Sequence, residues 1–197
     1  MNQHGDTSRI FVALPLAAGL RHQLTRLVQE MAAELEGVRW VRPENYHLTL
    51  RFLGDVSTRR VDELTTALGQ EDWPNGFVLP VGQVGAFPHP SRARVIHVKA
   101  TSPTLEVLHE QLERVLRSLG FPGESRFSGH ITLGRVPRGG RVDLRKVVKE
   151  HAAGVYQPLE AERMVLFMSD LRPQGPVYRE LASFALGLPV QTRSCYT

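Results

Sequence analysis

Apolar positions along the chain follow two rhythms. Ile10-Phe11-Val12-Ala13-Leu14 is a continuous apolar run closed by Pro15, the pattern of a buried strand. Leu20, Leu24, Leu27, Val28, Met31 and Leu35 then recur at helical spacing, with Gly37 as a stop. Tyr46 to Leu53 alternates and predicts a strand ended by Gly54-Asp55. Val61, Leu64 and Leu68 mark a second helix, which Gly69 terminates. Phe77 to Val84 and Arg94 to Lys99 read as strands, separated by the Pro- and Gly-bearing stretch Gly85 to Pro90. After Ser102-Pro103-Thr104, a stripe of Leu105, Leu108, Leu112, Val115, Leu116 and Leu119 predicts a third helix ended by Gly120. His130 to Val136 alternates again. A short helix at Leu144 to Glu150 and strands at Met164 to Met168 and Tyr178 to Leu186 close the chain.

The order strand–helix–strand–helix–strand thus occurs twice. No Ser- or Pro-rich linker divides the halves, so residues 1–197 read as one α/β unit with two similar lobes around a central cleft, and 1–8 as a flexible polar tail. The two copies share more than element order. His47-Leu48-Thr49-Leu50 and His130-Ile131-Thr132-Leu133 occupy equivalent strands. Successive side chains on a strand point to opposite faces, so His and Thr of each copy share one face and the apolar residues share the other. Eight histidines make a single His-x-Thr an ordinary coincidence, and either copy alone also fits a solvent-facing His beside a Thr chosen for β-propensity. Two copies in matching context make a different case.

Paired imidazoles and hydroxyls suit displacement at phosphorus. Imidazole titrates near pH 6.5, so one ring can accept a proton from an attacking water or hydroxyl while the other donates one to the departing oxygen. Thr hydroxyls can donate to the non-bridging oxygens, where charge builds. This set needs no metal, and the sequence offers no His-Glu-x-x-His and no paired Cys; nor is there a Gly-x-x-x-x-Gly-Lys loop for a nucleotide. Arg138 and Arg141, just past the second motif, fit an RNA backbone or a solvated loop equally well.

Net charge is +4 over 197 residues, a mild bias toward an anionic partner. Cys195, the lone cysteine, cannot form an internal disulfide. The run Ile10 to Leu20 is too short to span a bilayer and is interrupted by Pro15, so a soluble, cytoplasmic protein is expected, with no membrane partner. Of the other histidines, His4 falls in the tail, His22 and His151 in exposed helical surroundings, His89 in a loop, His97 in a strand and His109 on a helix; all take structural readings.

Most of the chain resembles the two-histidine (2H) phosphoesterases, and within them the RNA 2',3'-cyclic phosphodiesterases formerly called 2'-5' RNA ligases. The resemblance rests on Arg9 to Leu14, Trp40 to Gly54, Gly85-Ala86-Phe87-Pro88 with Arg94 to His97, Phe127 to Arg135, and Gly175-Pro176-Val177-Tyr178. It implies a bilobal α+β fold, two pseudo-symmetric lobes of antiparallel sheet with flanking helices. It also implies a cofactor-free, metal-independent enzyme that opens terminal 2',3'-cyclic phosphates on RNA to 2'-phosphates, and that can join tRNA halves by the reverse displacement. The implied partner is RNA with 2',3'-cyclic phosphate ends, including tRNA halves, bound by a monomer. Carried over, His47 is the proton donor and His130 the acceptor, with Thr49 and Thr132 on the phosphate. Relatives often carry Pro before the second motif, where this chain has Gly129, a change that loosens the start of the strand.

Arg135 matches an Arg that relatives place near the phosphate, yet strict alternation puts it on the face opposite His130 and Thr132. A bulge at Gly134 would re-aim it. Arg51 shares the face of His47 and Thr49 by parity and is the geometric rival. Two alternatives stay open at this point: an RNA-binding protein without turnover, and a sister enzyme acting on small nucleotide cyclic phosphates or 2'-5' oligoadenylate.

Overall fold

A computed structural model describes residues 7–187 except 125, 152, 153, 155 and 174; His4 and Cys195 lie outside the described residues. The elements run β1 (Thr7–Pro15), α1 (Ala18–Glu34), β2 (Arg39–Trp40), β3 (His47–Ser57), α2 (Thr58–Gln70), β4 (Phe77–Leu79), β5 (Val81–Phe87) and β6 (Val95–Ala100). They continue α3 (Pro103–Ser118), β7 (His130–Arg135), α4 (Arg145–Glu150), β8 (Leu159–Ala161), β9 (Arg163–Arg172) and β10 (Gly175–Ala185).

The main sheet is antiparallel with strand order β10-β9-β1-β3-β7-β6-β5, and β2 pairs the end of β7. The pseudo-symmetry axis falls between β3 and β7. Flanking them are β1 and β6, the first strands of the two sequence halves. The outer strands are exchanged: β5 from the first half joins the lobe of β6, and β9 from the second half joins the lobe of β1. Each lobe is therefore built from both halves of the chain, which a division into sequence halves does not anticipate. β4 and β8 form a separate two-stranded ladder.

The helical stripes do what their spacing implies. Leu20, Leu24, Leu27, Val28 and Met31 of α1 and Leu105, Leu108, Leu112, Val115 and Leu116 of α3 are buried in one continuous core with Leu48, Leu50, Ile131 and Leu133. The Ser102 hydroxyl caps α3 by accepting from Leu105 N–H at 3.1 Å, and Pro103 sits where no N–H is needed. Ile10 to Leu14 are all essentially inaccessible, because the aromatic rings of the cleft cover one face of β1 and the core covers the other.

Several boundaries differ from the sequence expectation. Thr7 and Ser8 are not tail but pair with Ser57 and Val56. Gly54-Asp55 does not end β3; the strand continues to Ser57 through a register shift opposite Ile10/Phe11. The expected strand Phe77 to Val84 is two strands broken at Pro80, which has no N–H to give a ladder. α2 continues one residue past Gly69.

Candidate active site

β3 and β7 meet at the pair Leu48↔Ile131 and diverge from there, β3 running along β1 and β7 along β6. Because the strands are antiparallel, continuing that register sets Thr132 opposite His47 and Thr49 opposite His130. The two motifs interlock diagonally on the cleft face, while Leu48, Leu50, Ile131 and Leu133, each at most 1% exposed, point into the core.

Both rings are fixed in the same way. His47 Nδ1 lies 2.8 Å from the Asn45 carbonyl, and His130 Nδ1 lies 2.6 Å from the Ser128 carbonyl. A carbonyl only accepts, so each Nδ1 carries the hydrogen and donates it. In the neutral ring Nε2 is left as a bare acceptor, and in the charged ring as a donor. The anchors are themselves held. Asn45 is buried and its Nδ2 donates to Pro176 O at 2.9 Å, tying the start of β10 to the first motif. Gly129 accepts from Ala100 N–H at 3.0 Å, and a Cβ there would meet the Ala100 carbonyl at 2.1 Å. The glycine allows close approach to β6 and so fixes the strand start that it was expected to loosen.

The surroundings of the two rings differ. Phe11, Phe167 and Tyr178 surround His47 at centroid distances of 4.9, 6.4 and 5.3 Å. His130 meets Phe87 and His97 edge-on at 5.1 and 5.2 Å, and those two stack on each other at 4.2 Å. Sequence reading leaves Phe11 as one more residue of an apolar run and gives His97 a structural place in a strand. What links them to the cleft is their position across the ladder from the motif strands, a non-local fact. The fragments Phe87-Pro88, His97 and Tyr178 do occur in the quoted resemblance, and that was the available signal.

Burial lowers the pKa of all three imidazoles. His47 is pushed down to about 4, with Arg135 and His130 adding to the effect and the Asn45 carbonyl opposing it. His97 is likewise pushed to about 4, by burial and then by His130 and Lys99. His130 is lowered by burial and by Arg135, against its Ser128 hydrogen bond.

The positive charge of Arg135 thus bears on both motif histidines. The geometry explains how it reaches them: Ile96 pairs Gly134 but His97 pairs Thr132, so Leu133 is an extra residue in β7. This bulge restores Arg135 to the face of Thr132. Arg51 keeps its parity but is engaged elsewhere. Its Nε pairs with Glu113 Oε1 at 2.6 Å, and its other nitrogens donate to the Phe52 and Pro122 carbonyls. Among the described residues, one group has metal-ligand chemistry: His109, Glu113 and Glu124, with donor atoms within 4.8 Å. Glu113 is already held by Arg51, and the group ties α3 to the loop leading to His130, with Glu124 N–H donating to Glu113 and Phe127 stacked on His109.

Antiparallel, duplicated lobes with a diagonal His/Thr tetrad define the two-histidine class of phosphoesterase. The chain belongs to the LigT-like phosphoesterases: the family model matches twice, over residues 14–97 and 98–178, once per motif. It is 31% identical over 178 residues to an RNA 2',3'-cyclic phosphodiesterase of Archaeoglobus fulgidus, covering 89% of this chain and 99% of that protein. A protein of the same description from Aeropyrum pernix is 33% identical, over 81% of this chain and 92% of its own. Among solved structures, Thermus thermophilus TT0787 matches with TM-score 0.74 and 28% identity, covering 91% of this chain and 98% of that one. Escherichia coli LigT complexed with 3'-AMP matches with TM-score 0.71 and 26% identity, covering 92% and 99%. No described helix is long and apolar enough to cross a membrane.

Proposed function

We propose that this chain hydrolyses 2',3'-cyclic phosphates at RNA ends to 2'-phosphates, with His47 and His130 as its proton carriers and without a metal. The observation that supports this most is the matched anchoring of the two rings, which leaves both Nε2 atoms free on the face that carries Thr49 and Thr132. One Nε2 takes a proton from the attacking water. The P–O3' bond breaks, the other Nε2 protonates the departing 3' oxygen, and phosphorus stays on the 2' oxygen. Thr49, Thr132 and Arg135 stabilise the non-bridging oxygens.

Burial by itself favours two neutral rings, His47 most clearly. An acid is needed, and the anionic phosphate supplies the condition for one, since an adjacent negative charge favours the imidazolium. Following the family, His47 is the donor and His130 the acceptor, so His47 recharges on binding. The pocket beside His130, lined by Thr49, Phe52, Phe87, Glu124 and Arg126, is the place for the terminal nucleoside. Phe52 and Phe87 stand 52% and 36% exposed there, offering ring faces to a base. Solved E. coli LigT is complexed with a nucleotide, 3'-AMP. With a 5'-hydroxyl in place of water the same steps join tRNA halves through a 2'-5' bond. Action as a cytoplasmic monomer is part of this reading.

The test is incubation of RNA ending in 2',3'-cyclic phosphate with the protein in excess chelator. Undiminished conversion to the 2'-phosphate is expected. Loss of activity restored by a divalent ion would end the two-imidazole mechanism, and a 3'-phosphate product would reverse the assignment of the leaving oxygen.

A further inference from the structure

Arg39 of β2 lies directly across the ladder from Arg135 of β7. Like charges opposite one another on neighbouring strands destabilise a sheet, so an Arg–Arg pair calls for a compensating anion. The described residues do not supply it. Arg39, Arg42 and Arg135 line one groove of ≈ 770 Å³, with Trp40, Pro176 and Tyr178 among its other walls and no carboxylate among the described residues that line it. Among the described residues none of the three arginines forms an ion pair. Arg51, Arg59, Arg145, Arg163 and Arg172 pair with acids; what sets Arg39, Arg42 and Arg135 apart is that they line one concavity together.

The groove is continuous with the cleft at two residues. Arg135 acts electrostatically on both motif histidines, and Tyr178 lies edge-on to His47. A close contact seats β2 against β7: a Cβ on Gly134 would meet the Trp40 ring at 2.9 Å and Val38 at 2.8 Å, space that the bare glycine leaves to them. Val41 N–H donates to Leu133 O at 2.8 Å and extends the contact. The neighbouring groove beside His47 mixes its charges, Glu44 and Glu180 against Arg21 and Arg42, whereas the described lining of the Arg39 groove is cationic alone.

We propose that the Arg39–Arg42–Arg135 groove is a second anion site, which holds the internucleotide phosphate one step in from the RNA end and so selects RNA over mononucleotide substrates. This rests on the phosphodiesterase reading above, with Arg135 at the reacting phosphate and Arg39, its neighbour on the next strand, reaching the following one. Cations without partners in a concave site focus a field on an incoming anion.

The experiment compares 2',3'-cyclic AMP, which has no second phosphate, with the dinucleotide ApA ending in a 2',3'-cyclic phosphate. Wild-type protein, Arg39→Ala and the double variant Arg39→Ala/Arg42→Ala are assayed with both. The kcat/KM ratio of dinucleotide to mononucleotide should fall about tenfold in Arg39→Ala and further in the double variant, mostly through KM, with Arg39→Lys partly restoring it. Thermal stability of Arg39→Ala should hold or rise, because a repulsive pair is removed; a merely structural arginine would lower it. An unchanged ratio, or equal losses on both substrates, would overturn the proposal. Direct binding of a 3'-phosphorylated oligonucleotide separates the two readings. If wild-type protein opens neither substrate yet Arg39→Ala still weakens binding and flattens its salt dependence, the hydrolase reading fails and the anion site stands. If it turns over both substrates but the variant binds like wild type, the site fails alone.

Discussion

The two sides of the cleft share a backbone and differ in their walls. On each side a strand begins at the motif His, turns its apolar residues into the core, and holds Nδ1 with the carbonyl two residues earlier. The wall around His47 is carbon and phenol, from Phe11, Phe167 and Tyr178, whereas the wall beside His130 contains a further imidazole, His97, stacked on Phe87. A duplicated strand thus repeats the anchoring, and the residues packed on it set each ring's protonation. Acid–base catalysis needs that inequality, since two groups with one environment cannot divide donor and acceptor roles.

The largest effects fall on the shared part. His47→Ala and His130→Ala should each lower kcat by about 10³-fold or more, within the range of lost general acid–base groups, with the double variant little worse than either. Thr49→Ala and Thr132→Ala should cost less, about 10- to 100-fold, because each removes a donor to the phosphate and no proton carrier. Steady-state kinetics on variants whose folding is checked by circular dichroism decide this. If one His variant kept near-normal activity, the two sides would not be equivalent in role.

The two arginines give the comparison a second edge, with separate readouts. Arg51 and Glu113 are 11% and 3% exposed and pair at 2.6 Å, so Arg51→Ala leaves a buried carboxylate with only the Glu124 N–H and the more distant Arg117, at 4.0 Å, to offset its charge. A loss of about 3 kcal/mol in denaturant unfolding is expected, at the low end for a broken buried pair. Arg135 is exposed and has no carboxylate partner among the described residues; its removal should cost activity, about 10- to 100-fold, and little stability. The reverse pattern would return Arg51 to the phosphate.

Much of this was legible in the sequence, for a physical reason. Strand period 2 and helix period 3.6 are local, so β1, α1, β3, α3, β7 and the shared face of each His and Thr follow from spacing alone. The bulge that turns Arg135 was legible only as a glycine out of place at Gly134. Exchange of β5 and β9 between lobes was not legible, because strand partners are chosen by burial over long sequence separation, not by local pattern. The aromatic walls were hidden for the same reason: Phe11 and His97 acquire their role from neighbours on other strands. Arg39 takes its place only from the pairing of β2 with β7, which sets it opposite Arg135.

The smallest expected effect is on stability against pH, and it probes the walls themselves. His47 and His97 are held near about 4 in the folded protein, each first by burial, while an imidazole in the unfolded chain titrates near ~6.5. Between those values the unfolded chain binds protons that the folded one refuses. Stability therefore falls as pH drops from ~6.5 toward about 4, and above ~6.5 these rings contribute no slope. His97 is 7% exposed and its Nδ1 has no hydrogen-bond partner, so an apolar replacement forfeits no bond. His97→Leu should lose less melting temperature than wild type on going from pH 7 to pH 5, whatever its starting value. His47→Leu should flatten the same slope, though it gives up the Asn45 hydrogen bond and begins lower. A slope unchanged in both would mean that the rings are hydrated and titrate normally. A slope flattened in His97→Leu alone would place the stored strain on the His130 side, where two imidazoles share one wall.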